Sequence, residues 1–215
     1  MIRTPELIDL LVTNLPPVQR LRPPVVRAAG WTLVAVFVLA LLCVSQGMRP
    51  DLLSRFQEPN FAVGLGASLV TAICAAMAAF TAAVPGRSRA WFLLPLPPLL
   101  VWAFSIGRQC LSDWVRSNDG TMAMGDTARC FATLVLSSLP LWLMMLLMLR
   151  KTRPVIYLAP MLAGSVAVAA ATATAMDLLH QLDTTVMILL WNFGTGALIV
   201  GISALCSRPF LTGAR

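Results

Sequence analysis

The sequence predicts an all-α integral membrane protein with six transmembrane helices and both termini in the cytoplasm. Three observations carry this. Of 215 residues, 58% are hydrophobic and only 12% charged, with a mean hydropathy of +0.81, well away from a soluble domain. The apolar residues gather into six long runs separated by short polar stretches. The 16 basic residues divide unevenly: eleven lie at the termini and in the turns after the second and fourth runs, five in the remaining loops. The more basic side is cytoplasmic by the positive-inside rule.

Residues 1–27 form a cytoplasmic arm. Thr4-Pro5-Glu6 reads as a helix start, with a capping hydroxyl, a proline at the first helical position and an acid in the first turn. Leu7, Ile8, Leu11, Val12 and Leu15 then form one apolar stripe at helical period, ended by Pro16-Pro17. Val18-Gln19-Arg20-Leu21-Arg22 follows, then Pro23-Pro24 and a juxtamembrane Arg27.

The first run, Ala28 to Met48, contains no Asp, Glu, Lys or Arg. At 1.5 Å rise per residue it is roughly 30 Å long, the thickness of a hydrocarbon core. No small-residue cleavage site follows, so it reads as a span and not a signal peptide. After the mixed-charge loop Arg49 to Asn60 comes the second run, Phe61 to Pro85, rich in Ala and Gly. The tight basic turn Gly86-Arg87-Ser88-Arg89 leads into the third, Ala90 to Gly107, where Pro95, Pro97 and Pro98 predict a kinked span. Arg108 to Cys130 reads as the longest interior polar loop. The fourth run is Phe131 to Leu149, followed by the basic turn Arg150 to Pro154. The fifth is Val155 to Met176. A short polar turn, Asp177 to Asp183, precedes the sixth, Thr184 to Cys206, and residues 207–215 form a cytoplasmic tail. Residues 28–206 thus form one membrane domain.

Small residues predict the packing faces: Gly64, Gly66 and Ala67 in the second run, Ala163, Gly164, Ala167 and Ala171 in the fifth, and Gly194, Gly196 and Gly201 in the sixth. The fourth run, with Trp142, Met144, Met145 and Met148, is expected to face lipid.

Several function classes are disfavoured. The net charge of +7 comes without a long basic run or a basic–aromatic face, so direct nucleic-acid binding is not expected. Five cysteines form no CxxC pair, there is one His, and no nucleotide-binding, zinc-protease or nucleophile-elbow motif occurs. The reading is a non-enzyme without cofactor. The main alternative, a small-molecule or metal-ion transporter, calls for an ionisable group near the midplane. Asn192, the main strongly polar residue within a span, reads as a helix–helix hydrogen bond. A quinone-linked thiol oxidase would need a vicinal cysteine pair.

Cys43 and Cys74 lie within spans and Cys206 near the end of one, where small apolar side chains need no function. Cys110 and Cys130 bracket the outward loop, in an oxidising compartment. They are either two unrelated thiols, or a redox pair, or two soft ligands for a thiophilic metal ion completed by His180 from the neighbouring outer turn. The arm likewise has two readings: lying on membrane lipid, or docking in a groove on a cytoplasmic partner.

Glu6-Leu7-Ile8-Asp9-Leu10-Leu11, Pro17 to Pro24 and Arg27 resemble the amino-terminal arm of the NrsF-type anti-sigma factors. Further matches follow in order: Gly47 to Leu52; Gly107 to Cys110 with Leu111 and Trp114; Cys130; Leu146 to Lys151 with Pro154; His180 with Asp183; and Leu190-Trp191. The resemblance implies a six-span bacterial inner-membrane protein that holds an extracytoplasmic-function sigma factor inactive and releases it on an outer heavy-metal or oxidative signal. On that reading Leu7, Ile8, Leu11 and Leu15 anchor the sigma factor, with Val18, Arg20, Leu21 and Arg22 as a second contact. The resemblance also implies sensing through two outward cysteines. Cys130 falls on one; the other is expected directly after His180, where this chain has Gln181. Three alternatives stand: Cys110 substitutes, one thiol suffices, or the signal differs.

Overall fold

The computed structural model describes residues 22–48, 50–116, 124–150 and 158–179, with single positions 6, 12, 13, 152 and 194. Among these there are helices and no strand. Helix α1 spans Pro24–Gln46. A single turn, α2, covers Leu52–Arg55, and α3 covers Pro59–Ala82. A 3₁₀ turn at Arg89–Leu93 leads into α4, Leu96–Arg116; α5 is Met124–Arg150 and α6 is Leu158–Leu179. Five segments are long and apolar enough to cross a membrane: Pro24–Gln46, Pro59–Ala82, Ala90–Arg108, Ala132–Arg150 and Leu158–Leu179. They match the first five predicted runs. The sixth, 184–206, lies outside the described residues except Gly194.

Helix boundaries follow local chemistry. Pro24 and Pro59 occupy first-turn positions, where a missing N–H costs nothing. Gly47 closes α1 at φ +81°, a region glycine enters without strain, and its N–H bonds the Cys43 carbonyl at 3.1 Å. The predicted kink in the third span is instead a junction. The chain turns at Leu94-Pro95, and Pro97 and Pro98 sit in the first turn of α4, so no helical hydrogen bond is sacrificed. The stretch read as a loop from Arg108 to Cys130 is also largely helical: α4 continues to Arg116 and α5 begins at Met124. A helix satisfies its own backbone, so it need not stop where the apolar run ends.

Among the described helices, α3 and α6 make the most extensive contact. They run antiparallel: Ser68 meets Thr174 through a 2.9 Å hydroxyl bond, and Ala78 and Ala79 pack against Ala163 towards the other end. Helix α4 packs on α3, α5 on α6, and α1 on both α3 and α5. Ala67, Ala163, Gly164, Ala167 and Ala171 are all buried, as their size predicted. A Cβ on Gly64 would stand 3.1 Å from the Ser105 hydroxyl, and one on Gly164 3.1 Å from Met145 Cγ. Gly66 differs: it is exposed with nothing within 4 Å. Gly196 and Gly201 lie outside the described residues.

The lipid-facing expectation for the fourth run is overturned. Trp142 and Met145 are buried at 4% and 0% exposure, with Met144 and Met148 packed beside them. Leu136, Leu139, Leu143 and Leu147 face outward instead. These sets lie on opposite sides of one helix. In lipid both sides are apolar, so only volume and shape choose the core face.

Candidate functional site

The two candidate sites lie at opposite ends of the bundle. At the arm end, Glu6, Val12 and Thr13 are helical and exposed, Val12 at 64%. This agrees with the helix predicted there and leaves an apolar side chain of its stripe uncovered. Arg22 is exposed. Leu7, Ile8, Leu11, Leu15, Val18, Arg20 and Leu21 lie outside the described residues.

At the other end, Thr133 of α5 donates to the Gln46 side chain of α1 at 2.7 Å. Leu52, Phe61 and Leu65 pack together with Leu178 of α6. Phe56 meets Phe61 edge-on, with centroids 5.8 Å apart. Arg55 reaches Asp51 at 3.9 Å and Glu58 at 3.4 Å, exposed contacts of small energetic weight. Cys110 lies in the last two turns of α4 and Cys130 in the first two turns of α5, both at this end. Their side chains, and the whole of His180, Gln181 and Asn192, lie outside the described residues. Cys43 and Cys74 are half-buried free thiols within α1 and α3.

One residue escaped sequence reasoning. Arg27, read there as a juxtamembrane cation, sits in the first turn of α1 and is only 8% exposed. Its Nη2 donates to the Met148 carbonyl in the last turn of α5, and its guanidinium carbon stands 4.7 Å from the centre of the Phe80 ring of α3. Nη1 is buried without a hydrogen-bond partner. A cation at a helix C-terminus answers both an orphan carbonyl and the helix dipole. One turn further on, the Trp31 indole N–H donates to the Leu141 carbonyl at 3.3 Å. The signal available beforehand was the i, i+4 spacing of Arg27 and Trp31, which puts both on one helix face.

The chain, helical throughout its regular described elements and with Val12 exposed ahead of them, is similar over nearly its whole length to one family. The family described as negative regulator of sigma F matches residues 11–212. The chain belongs to that family. No curated protein and no solved structure matches it. As a negative regulator of sigma F, it belongs among proteins that act on a sigma factor; that family is one of regulators and not of enzymes.

Proposed function

We propose that this negative regulator of sigma F is an anti-sigma factor that holds an extracytoplasmic-function sigma factor at the bacterial inner membrane through residues 1–27. Six spans with both termini cytoplasmic would put the arm beside its partner, in keeping with the skewed basic charge. The observation that carries the reading is Val12, an apolar residue in helical conformation that is 64% exposed, ahead of a bundle whose described core is covered. An apolar stripe left in water is stabilised by a partner groove, with Leu7, Ile8, Leu11 and Leu15 as anchors and Val18, Arg20, Leu21 and Arg22 beyond them.

Release would follow an outer metal or oxidative signal at Cys130. Cys110 could serve as its partner in place of the cysteine expected at Gln181, and His180 as a further ligand. Moving a two-state equilibrium from 1:99 to 99:1 takes about 5.5 kcal/mol, which a metal–thiolate site supplies more readily than a strained disulfide.

The test is Leu11→Asp. Losing an apolar contact and burying a carboxylate should lower affinity about 10²-fold or more. Sigma-dependent transcription should rise while the protein accumulates normally. Unchanged repression would mean that the arm is not the contact.

A further inference from the structure

We infer that Arg27 is a positioning residue: it fixes the root of the arm to the end of α5, the helix that carries Cys130 near its opposite end. The inference deepens the anti-sigma reading above and rests on it for its functional half. Three observations converge. The Pro23-Pro24 pair that ends the arm is followed within three residues by Arg27, so a restraint on this side chain sets where the arm leaves the bundle. The restraint comes from α5, through the Nη2 bond to the Met148 carbonyl. The Thr152 amide bonds Leu149, one carbonyl further on, so Met148 is not closed by the amide four residues ahead. And the α1–α5 contact is bridged at two further levels, Trp31 to Leu141 and Gln46 to Thr133, so the Arg27 bond is the tie of this seam that lies nearest the arm.

The remaining detail is Nη1, buried without a partner. A buried guanidinium with every N–H answered is hard to dislodge; one held by a single carbonyl and a ring face can be released. Sliding of α5 would take the Met148 carbonyl from Arg27 and leave a buried cation, which would then move outward to water with the arm's root. A fixed root also lowers the ordering cost of each binding event, so the latched state is the one that holds its partner best.

The experiment uses the full chain in lipid bilayers, with spin-labelled unnatural amino acids at Arg22 and Arg150 so that the native cysteines stay. Wild type and Arg27→Lys should give a narrow distance distribution. Arg27→Met should give one at least about twice as broad, and sigma-dependent transcription in cells should rise about tenfold, the scale of one lost charge-assisted hydrogen bond. Phe80→Leu removes the ring face from Arg27 while keeping an apolar side chain in the core, and should give about a threefold rise, which keeps the test open should Arg27→Met fail to accumulate. An unbroadened distribution in Arg27→Met, or in Phe80→Leu where only that variant accumulates, overturns the inference. So does a broadened one with wild-type repression. If the wild-type chain represses no sigma-dependent promoter, the anti-sigma reading fails, while the distance comparison still decides whether Arg27 fixes the arm's root.

Discussion

The contact of α3 with α6 is made largely of alanine methyl groups and hydroxyls, with Phe61, Leu65 and Leu178 at one end, whereas the contact of α1 with α5 is held by an arginine, a tryptophan and a glutamine. Across the first, Ala75, Ala76, Ala78, Ala79, Ala167 and Ala170 are all fully buried or nearly so, and backbones approach closely over a long surface. Across the second, three hydrogen bonds at well-separated levels span a contact of smaller extent, with bulkier side chains between. The difference is one of tolerance. A wall of alanines has no rotamers to adjust, so two such helices have one good register. A contact bridged by a few long side chains leaves the partner helix more room to shift, and its bonds can be made and broken one at a time. The first contact fixes the fold, and the second is where movement is affordable.

That contrast is sharpest in the response to added volume. Ala79→Leu puts three carbons where Ala78, Ala79 and Ala163 already meet, and should cost about 3 kcal/mol or more. The measurement is reversible unfolding in mixed micelles followed by circular dichroism; a loss below about 1 kcal/mol would show that the alanine contact is slack. Trp31→Phe, on the other side, removes an indole donor but keeps most of the ring, and should cost about 1–1.5 kcal/mol. A cost exceeding that of Ala79→Leu would reverse the comparison. Smallest is the coupling of Ser68 with Thr174 in a double-alanine cycle, about 0.6 kcal/mol, since hydroxyl bonds between membrane helices are modest.

What the sequence made legible, and what it hid, follows the same physics. The five described spans were plain because length and charge depletion mark a span whatever its neighbours. The burial of Ala163, Gly164, Ala167 and Ala171 was also plain, because only small residues admit a close backbone. Met145 and Trp142 were misassigned because, in a bilayer, polarity cannot separate a core face from a lipid face. Pro95, Pro97 and Pro98 were counted as helix breakers, but two of the three fall where a helix begins. Arg27 looked like a cation bound for the interface, and nothing local announced that Met148, 121 residues away, would meet it. Of the candidate site, the helix start at Thr4-Pro5-Glu6 was legible, and Glu6, Val12 and Thr13 are helical; pairings among Cys110, Cys130 and His180 depend on tertiary geometry that spacing along the chain does not contain.

The enclosure of α6 bears on how the protein is made. In its most apolar stretch 78% of the residues are buried, against 22% for α1, and that stretch is dense in alanine, which gives up little free energy on entering lipid. Such a helix is weakly held by a bilayer alone and strongly held by α3. Its partner leaves the ribosome some hundred residues earlier, so the waiting α3 acts as the template that retains α6 in the membrane. A lesion in the α3 alanine face would then surface first as a biogenesis defect, with α6 failing to insert, before any change in the stability of finished molecules.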